Sequence, residues 1–250
     1  MNVLVIPDIH LKYWMFEEAA KIMDRGEADT AVCLMDIPDA WNMQNDRQLY
    51  VETFDAAIEF QKKYPDTLWC WGNHEAGYLW ESQLEEAGRG THSGFSVMCA
   101  GTVRQKLDEL AEQIPEGQLG FIHRIDNVLF LHGGLTDYFI TKYFSADERD
   151  DTDKVISRIN SFGVNEMWLD PSMIEFSPIW HRPCFYPDDK MYRADDMLQI
   201  VGHTPVKEIT RNRNTITCDV FSTYRNGVPI GTQEFLLLDT LTWEYCGIKV

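Results

Sequence analysis

The sequence predicts an α/β fold built from parallel strands. Short runs of β-branched and leucine residues alternate with longer segments in which apolar residues recur at helical spacing. This order of strand, loop and helix is typical of βαβ units, in which neighbouring strands run parallel. Polar residues come directly after several strands, where ligands bind in such sheets. A chain of 250 residues is within the size of one folding unit, so we predict a single domain over residues 1–250.

The first part of the chain contains three predicted strands separated by two predicted helices. Pro7 ends the first strand because proline has no backbone N–H for the sheet, and Pro65 disfavours continuation of the second helix. The strands are apolar along their length, as is typical of buried parallel strands. The predicted strands are Asn2–Ile6, Thr30–Met35 and Thr67–Trp71, and the predicted helices are Tyr13–Arg25 and Arg47–Lys63.

The second part of the chain becomes richer in strands after a predicted helix at Val97–Gln113. Asp126-Asn127 between two apolar runs indicates a hairpin. Residues 137–190 are the least periodic region, with one helix predicted around Asp153–Phe162, and we expect this region to form a cap. The strands predicted here are Leu119–Ile125, Val128–Leu131, Leu198–Val201, Thr215–Val220, Glu234–Leu238 and Thr242–Ile248.

Composition and charge exclude several classes of protein. Hydrophobic residues make up 44% and charged residues 25%, as in an ordinary soluble domain, and the six cysteines are too scattered for a disulfide framework. The longest apolar runs fall far short of the roughly 20 residues that span a bilayer, so no membrane association is expected. The N-terminal residues lack the features of a secretory signal, so we expect a cytoplasmic location.

The net charge of -18 limits which molecules the protein is expected to bind. Such a charge repels nucleic-acid phosphates, so no nucleic-acid partner is expected. The simplest explanation of the acidity is solubility, with most carboxylates on solvated helix faces. An anionic substrate must then be held by local cations or metals. The sequence leaves the oligomeric state open.

Polar side chains at the ends of five predicted strands suit a metal centre. Asp8 and His10 are separated by one residue, so an extended backbone directs both side chains to the same side. Alone, such a pair is more often a capped strand end than a ligand pair. Further candidate ligands follow other strands, at Asp36, Asn73, His132 and His203. Because carboxylate, amide and imidazole ligands together suit Mn, Fe or Zn, a site for two divalent ions is predicted, with Mn expected first.

Five short motifs occur in a characteristic order along most of the chain. They are Asp8-x-His10, Asp36-x-x-Asp39, Gly72-Asn73-His74-Glu75, His132-Gly133-Gly134 and Gly202-His203-Thr204. Their order resembles the calcineurin-like metallophosphoesterases. Trp168-x-Asp170-Pro171 and Ser177-Pro-Ile-Trp-His-Arg182 are similar to the phosphoprotein phosphatase branch and its bacterial relatives, which include diadenosine tetraphosphatases. The resemblance implies one metallophosphoesterase-like domain, a β-sandwich flanked by helices (αββα) with a loop and helix cap.

The resemblance also implies a role for each motif residue. One metal is expected on Asp8, His10 and Asp36, and a second metal on Asp36, Asn73, His132 and His203, with Asp36 bridging both. Such ions, roughly 3.5–4 Å apart, clamp phosphate oxygens and lower the pKa of a bridging water, so a hydroxide is the expected nucleophile. His74 matches the general acid that protonates the leaving group, with Asp39 orienting and charging it. Asn73 is also expected to contact the substrate.

Two positions depart from the pattern of the family. The family usually has Gly before the bridging aspartate and Arg after the second aspartate, whereas this chain has Met35 and Ala40. The missing arginine matters more, because a guanidinium binds phosphate oxygens through two parallel hydrogen bonds. Arg182 resembles another phosphate-contacting arginine of bacterial relatives, although a surface role explains it equally well. Arg47 is a weaker replacement, since an arginine at a helix N-terminus more often points to solvent.

The function predicted from these residues is metal-dependent hydrolysis of phosphate monoesters, on a phosphoprotein or a small metabolite. Two alternatives remain open. The first is hydrolysis of a dinucleoside polyphosphate, with aromatic side chains stacking on a base. The second is a catalytically weak metal-binding scaffold, suggested by Ala40. His92, His123 and His181 lie outside the motifs, and a structural role is predicted for them.

Overall fold

Two β-sheets pack face to face in the computed structural model, which describes residues 1–86, 92–162 and 173–250. The strands are, in chain order, β1 (Asn2–Ile6), β2 (Thr30–Cys33), β3 (Leu68–Cys70), β4 (Leu119–Gly120), β5 (Ile122–Ile125), β6 (Val128–Leu131), β7 (Leu198–Val201), β8 (Thr210–Asn212), β9 (Thr215–Thr217), β10 (Glu234–Asp239) and β11 (Tyr245–Lys249). The first sheet has the order β11-β10-β1-β2-β3-β4 and the second has the order β5-β6-β7-β9-β8.

The strands that lead to the predicted motifs run parallel within each sheet. In the first sheet β1, β2, β3 and β4 are mutually parallel, and Val3 lies opposite Thr30. In the second sheet β6 is parallel to β7, and Leu131 lies opposite Val201. The carboxyl ends of parallel strands lie at the same edge of a sheet, so the residues after them are brought close together.

Helices cover the outer face of each sheet. They are α1 (Trp14–Asp24), α2 (Arg47–Lys63), α3 (Asn73–Leu79), α4 (Glu81–Glu86), α5 (Ala100–Ala111), α6 (Asp137–Tyr143), α7 (Ala146–Arg149) and α8 (Thr152–Ser161), with a 3₁₀ helix at Ile174–Phe176. Leu4 and Ile6 of β1 pack with buried side chains of α1, α2 and α5, whereas Val3 and Val5 face the second sheet. Leu129 of β6 packs with α6 and α8. The predicted β-sandwich flanked by helices is confirmed.

One predicted strand, Leu119–Ile125, is wrong as a single element. The structure divides it at Phe121, so that β4 pairs with β3 in the first sheet and β5 pairs with β6 in the second. The side chain of Asn160 in α8 explains the break. Its Oδ1 accepts hydrogen bonds from the N–H groups of Phe121 at 2.8 Å and Ile122 at 3.0 Å, and its Nδ2 donates to the carbonyl of Ile122. Where the chain crosses from one sheet to the other, these backbone groups are therefore hydrogen-bonded to a side chain instead of to a neighbouring strand.

Replacing Asn160 by alanine is expected to destabilise the fold, because it leaves the N–H groups of Phe121 and Ile122 without their acceptor. A loss of about 1–3 kcal/mol in the free energy of unfolding is expected, the usual cost of an unsatisfied buried polar group. Urea denaturation followed by circular dichroism measures it. Asn45→Ala, at an exposed position, serves as the control. Equal stability of the two variants would contradict this account of the strand break.

The remaining differences lie mainly at the ends of elements. β8 is fully exposed and has no apolar pattern, so the sequence did not indicate it. α3, α4, α6 and α7 were also not predicted, and the first residues of α3 were interpreted only as a motif. Trp168, Asp170 and Pro171 lie outside the described residues. In the described part of residues 137–190, α6 and α8 contribute to the buried cluster against the second sheet, and a cap over the site stays a prediction. Among the described residues no helix is both long and apolar enough to cross a membrane.

Candidate active site

The predicted metal ligands gather where strands of both sheets end. Asp8, Asp36, His132 and His203 follow β1, β2, β6 and β7, and Asn73 opens α3 directly after β3. The chain turns sharply at this edge: φ is +45° at Asp36 and +62° at His203. Non-glycine residues in this left-handed region cost about 1–3 kcal/mol, and such strain is concentrated at functional sites.

The first group of converging side chains is Asp36, His132 and His203, whose candidate ligand atoms lie within 4.8 Å of one another. All three side chains are buried. His132 Nε2 is 3.2 Å from Asp36 Oδ2, 3.2 Å from His203 Nδ1 and 3.0 Å from Asn73 Oδ1. His132 Nδ1 is 2.8 Å from the carbonyl of Leu34, which can only accept, so Nδ1 carries the proton.

His132 Nε2 is thus the ring nitrogen that faces Asp36, Asn73 and His203. Burial lowers the pKa of His132, but the carboxylates of Asp36 and Asp8 outweigh burial and raise it to about 9. Burial raises the pKa of the Asp36 carboxyl, but the nearby rings of His132 and His74 outweigh burial and hold this pKa well below the usual value. The group thus favours a positive charge at its centre, as a metal ion would provide.

His10 belongs to a second group with Asp36 and His74, again with ligand atoms within 4.8 Å. His10 Nδ1 donates to the carbonyl of Asp39 at 2.9 Å, so Nε2 is the free ring nitrogen. Burial and the neighbouring His74 lower the pKa of His10 to about 3. The imidazole is therefore neutral at physiological pH, as metal binding requires.

Asp8 lies beside these groups, although it belongs to none of the clusters of three found among the described residues. Its two carboxylate oxygens are 3.0 and 2.9 Å from the backbone N–H of His203. A Cβ at Gly202 would come within 2.1 Å of Asp8 Oδ1, so this position must be glycine. Burial and the nearby Asp219 raise the pKa of Asp8 well above its ordinary value. A bound cation would relieve this repulsion between two buried acids.

Glu75 holds the backbone around Asp36 in position. Its carboxylate accepts hydrogen bonds from the N–H groups of Ile37 at 2.7 Å, Asp36 at 3.2 Å and Gly72 at 3.2 Å. Burial and the charge of Asp36 raise the pKa of Glu75 to about 7. The N–H of His74 donates to Asp36 Oδ1 at 2.9 Å. The motif that opens α3 therefore orients Asp36 through both its glutamate and its backbone.

Asp39 is the centre of a hydrogen-bond network that the sequence showed only in part. Its Oδ2 is 3.0 Å from His74 Nδ1, as predicted, and also 2.5 Å from His92 Nε2. Its Oδ1 accepts from the hydroxyls of Tyr50 at 2.6 Å and Tyr78 at 2.5 Å. Burial raises the pKa of Asp39, but the bonds from both histidines outweigh burial and lower it below the usual range. Asp39 is therefore an ionised, fully bonded partner for His74.

His92 was predicted to be structural, but the structure places it against the candidate general acid. Its ring centroid is 4.0 Å from that of His74, and its Nδ1 packs against Gly77, where a Cβ would come within 2.0 Å. No motif or spacing in the sequence links it to Asp39, which is 53 residues away. His123 and His181 lie elsewhere, bonded to the carbonyls of Trp69 and Glu175.

A cavity of about 360 Å³ opens beside these groups of candidate ligands. His10, Asp39, His74 and His203 line it, and so does Ala40. The sequence predicted no specific role in the site for several other residues that line it. These include Trp41, Pro205, Ser222, Tyr224, Arg225 and Ile230.

The two arginines that were considered as replacements for the missing arginine occupy different places. Arg182 lines the cavity, and its Nη1 donates to the carbonyl of His203 at 2.8 Å. Arg47 is at the first residue of α2, and its Nη2 donates to the carbonyl of Met98 at 3.2 Å. Arg47 does not line the cavity, so of these two arginines only Arg182 borders it.

The fold and the convergence of histidine, aspartate and asparagine beside a cavity define a metallophosphoesterase. The sequence matches the family described as calcineurin-like phosphoesterase over residues 1–229, and the chain belongs to this family. A comparison with curated proteins gives no match.

Solved structures agree on the fold. The chain is similar to the cold-active protein-tyrosine phosphatase of a psychrophile, Shewanella sp., with a TM-score of 0.60 and 18% identity, covering 99% of this chain and 80% of the other. A second structure of a cold-active protein tyrosine phosphatase gives a TM-score of 0.56 and 19% identity, covering 98% of this chain and 78% of that one. At this identity the likeness shows the fold alone.

Proposed function

We propose that this protein is a dinuclear metal-dependent hydrolase of phosphate monoesters. The observation that supports this most is the convergence of His132 Nε2 with Asp36 Oδ2, His203 Nδ1 and Asn73 Oδ1, at 3.0–3.2 Å. Four candidate ligand atoms at these distances suit the coordination of one divalent cation. An acidic chain gains a site for an anionic substrate in this way.

The proposed metal sites divide these ligands between two ions. Asp8, His10 and Asp36 would hold one, and Asp36, Asn73, His132 and His203 the other. When bound, the ions would polarise the phosphate oxygens and lower the pKa of the attacking water. Manganese is the first ion to test, because the mixture of imidazole, amide and carboxylate suits it, with iron and zinc as alternatives.

His74 would donate a proton to the leaving group. It lines the cavity, its Nδ1 is held by Asp39, and its Nε2 is 3.9 Å from Asp36 Oδ2. Burial lowers the pKa of His74, but Asp36 and Asp39 outweigh burial and raise it above the ordinary value. The carboxylates therefore favour the protonated form of the ring, which a general acid needs.

The substrate class to test first is an aryl phosphate or a phosphorylated tyrosine side chain. Trp41 and Tyr224 give the cavity aromatic walls beside the metal groups. The similar structures bear the name of protein-tyrosine phosphatases, which supports the same choice. These walls also suit the base of a dinucleoside polyphosphate, so a comparison of diadenosine tetraphosphate with p-nitrophenyl phosphate separates the two candidates.

Removal of the metals is expected to abolish turnover, and manganese is expected to restore it. The protein is stripped with a chelator and assayed with p-nitrophenyl phosphate, and bound metal is measured by mass spectrometry. His132→Ala should lose turnover and at least one metal per chain, because His132 faces three of the other proposed ligands.

His123→Ala is the matched control for this experiment, because it also removes a buried histidine but lies outside the metal groups. It should keep its metals and its turnover. A wild-type protein with two bound metals and no turnover on any phosphate ester would instead favour the metal-binding scaffold. Turnover that persists without metal would refute the proposed function.

A further inference from the structure

A hairpin at residues 222–230 brings an arginine into the cavity beside Ala40. The hairpin is closed by backbone hydrogen bonds from Ile230 to Ser222 and from Tyr224 to Val228, both 2.9 Å. Arg225 is at its turn. Arg225 and Ala40 line the same cavity as His74 and two of the proposed metal ligands, His10 and His203. Ala40, where the family usually has an arginine, and Arg225 of the hairpin therefore border the same cavity.

Two contacts join Arg225 to the loop that follows Ala40. The guanidinium carbon of Arg225 lies 4.8 Å from the centre of the Trp41 ring. Asn42 Nδ2 donates to the carbonyl of Arg225 at 2.6 Å. Stacking on an aromatic face leaves the N–H groups at the edge of the guanidinium plane available for an anion. The residues directly after Ala40 thus hold the arginine in place from another part of the chain.

The guanidinium of Arg225 contacts an aromatic ring but has no acidic partner in the part of the protein that the structure describes. Several other arginines pair with carboxylates, namely Arg25, Arg104, Arg124, Arg158 and Arg193. None of the ion pairs found among the described residues includes Arg225, although the chain has 40 acidic residues. An arginine without an acidic partner, at the wall of a cavity next to a metal centre, is suited to a ligand with negative charge.

We propose that Arg225 binds the phosphoryl group of the substrate and takes the part that an arginine at position 40 would have. The proposal rests on the proposed phosphatase function and identifies a residue that determines how this site holds phosphate. Arg182 lines the same cavity, where its Nη1 donates to the carbonyl of His203, and would be a second cationic contact for the phosphoryl group. The hairpin and the loop at residues 40–42 together would form the substrate-binding wall.

The test compares Arg225→Ala with Arg211→Ala in the metal-loaded protein. Arg211 is a matched control, because its guanidinium also lies over a tryptophan ring, that of Trp243 at 5.9 Å, but outside the cavity. Arg225→Ala is expected to weaken inhibition by inorganic phosphate about 10- to 100-fold, since hydrogen bonds to charged groups contribute about 1.5–3 kcal/mol. The KM for p-nitrophenyl phosphate should rise with it. Arg225→Lys should recover only part of the loss, because lysine lacks the planar fork.

A rescue variant sharpens the assignment. Ala40→Arg in the Arg225→Ala protein is expected to restore phosphate binding, whereas Ala40→Arg in the Arg211→Ala protein should add little. Calorimetric titration of the metal-loaded proteins with inorganic phosphate measures binding without turnover. It therefore tests the role of Arg225 in phosphate binding even if the wild-type protein hydrolyses none of the esters. That absence of hydrolysis would count against the proposed function and not against the binding role of Arg225.

Two results would overturn the proposal. Equal phosphate affinity in the Arg225→Ala and Arg211→Ala proteins would show that Arg225 makes no contact with the phosphoryl group. A rise in KM that varies with the leaving group, with unchanged phosphate affinity, would place Arg225 against the leaving group instead.

Discussion

Asp36→Asn is expected to lower turnover of p-nitrophenyl phosphate by more than about 10³-fold. Because each factor of ten corresponds to about 1.4 kcal/mol in the barrier, this is a loss of more than about 4 kcal/mol of transition-state stabilisation. Asp36 is the residue that the proposed mechanism assigns to both metals, and its Oδ2 lies 3.2 Å from His132 Nε2. Asparagine keeps the shape of the side chain but removes its charge. The variant is therefore expected to fold and to lose metal affinity and electrostatic stabilisation of the phosphoryl group together.

Metal content and turnover are measured on the same sample of the Asp36→Asn protein. Asp153→Asn serves as a control, because Asp153 is a surface residue that pairs with Arg124. It should match the wild type in both measurements. If Asp36→Asn keeps two metals per chain and full turnover, the bridging role proposed for Asp36 is wrong.

His74→Asn is expected to lower turnover by an amount that depends on the leaving group. General acid catalysis contributes about 10²–10⁴-fold, so alkyl phosphates should lose turnover by that factor. Aryl phosphates with activated leaving groups need little protonation and should lose much less. The bond between His74 Nδ1 and Asp39, at 3.0 Å, orients the ring for this role.

The measurement for His74→Asn is the dependence of kcat on the pKa of the leaving group across a series of phosphate esters. The wild-type protein should show a shallow dependence and the variant a steep one. The activated aryl ester acts as an internal control for folding and metal loading. Equal losses on alkyl and aryl esters would contradict the assignment of His74 and favour a role in metal binding.

The sequence predicted the parts of the site that are local to a strand end. Asp8 and His10 are near neighbours in the chain, and Gly72 to Glu75 form one continuous motif, so their spacing could be read directly. The parallel strands then explained why five distant motifs meet at one edge of the sandwich. The order of the motifs led to the right family, which matches residues 1–229.

The break between β4 and β5 was not predictable in the same way. The apolar pattern of Leu119–Ile125 is that of one strand, and nothing in it indicates a change of sheet. The change depends on Asn160, whose side chain bonds to Phe121 and Ile122 from α8. Such a contact arises from the packing of the helix on the sheet and leaves no periodic signal.

The sequence by itself determined the α/β class, the family and the set of candidate metal ligands, because these depend on periodicity and on motifs of a few residues. Only the tertiary structure decided that His92 and the tyrosines surround Asp39 and that Arg225 stacks on Trp41. Arg225 and Trp41 are far apart in the chain and belong to no shared motif. Their contact follows from the way the hairpin at residues 222–230 folds back over the strand ends, a long-range arrangement that no local pattern records.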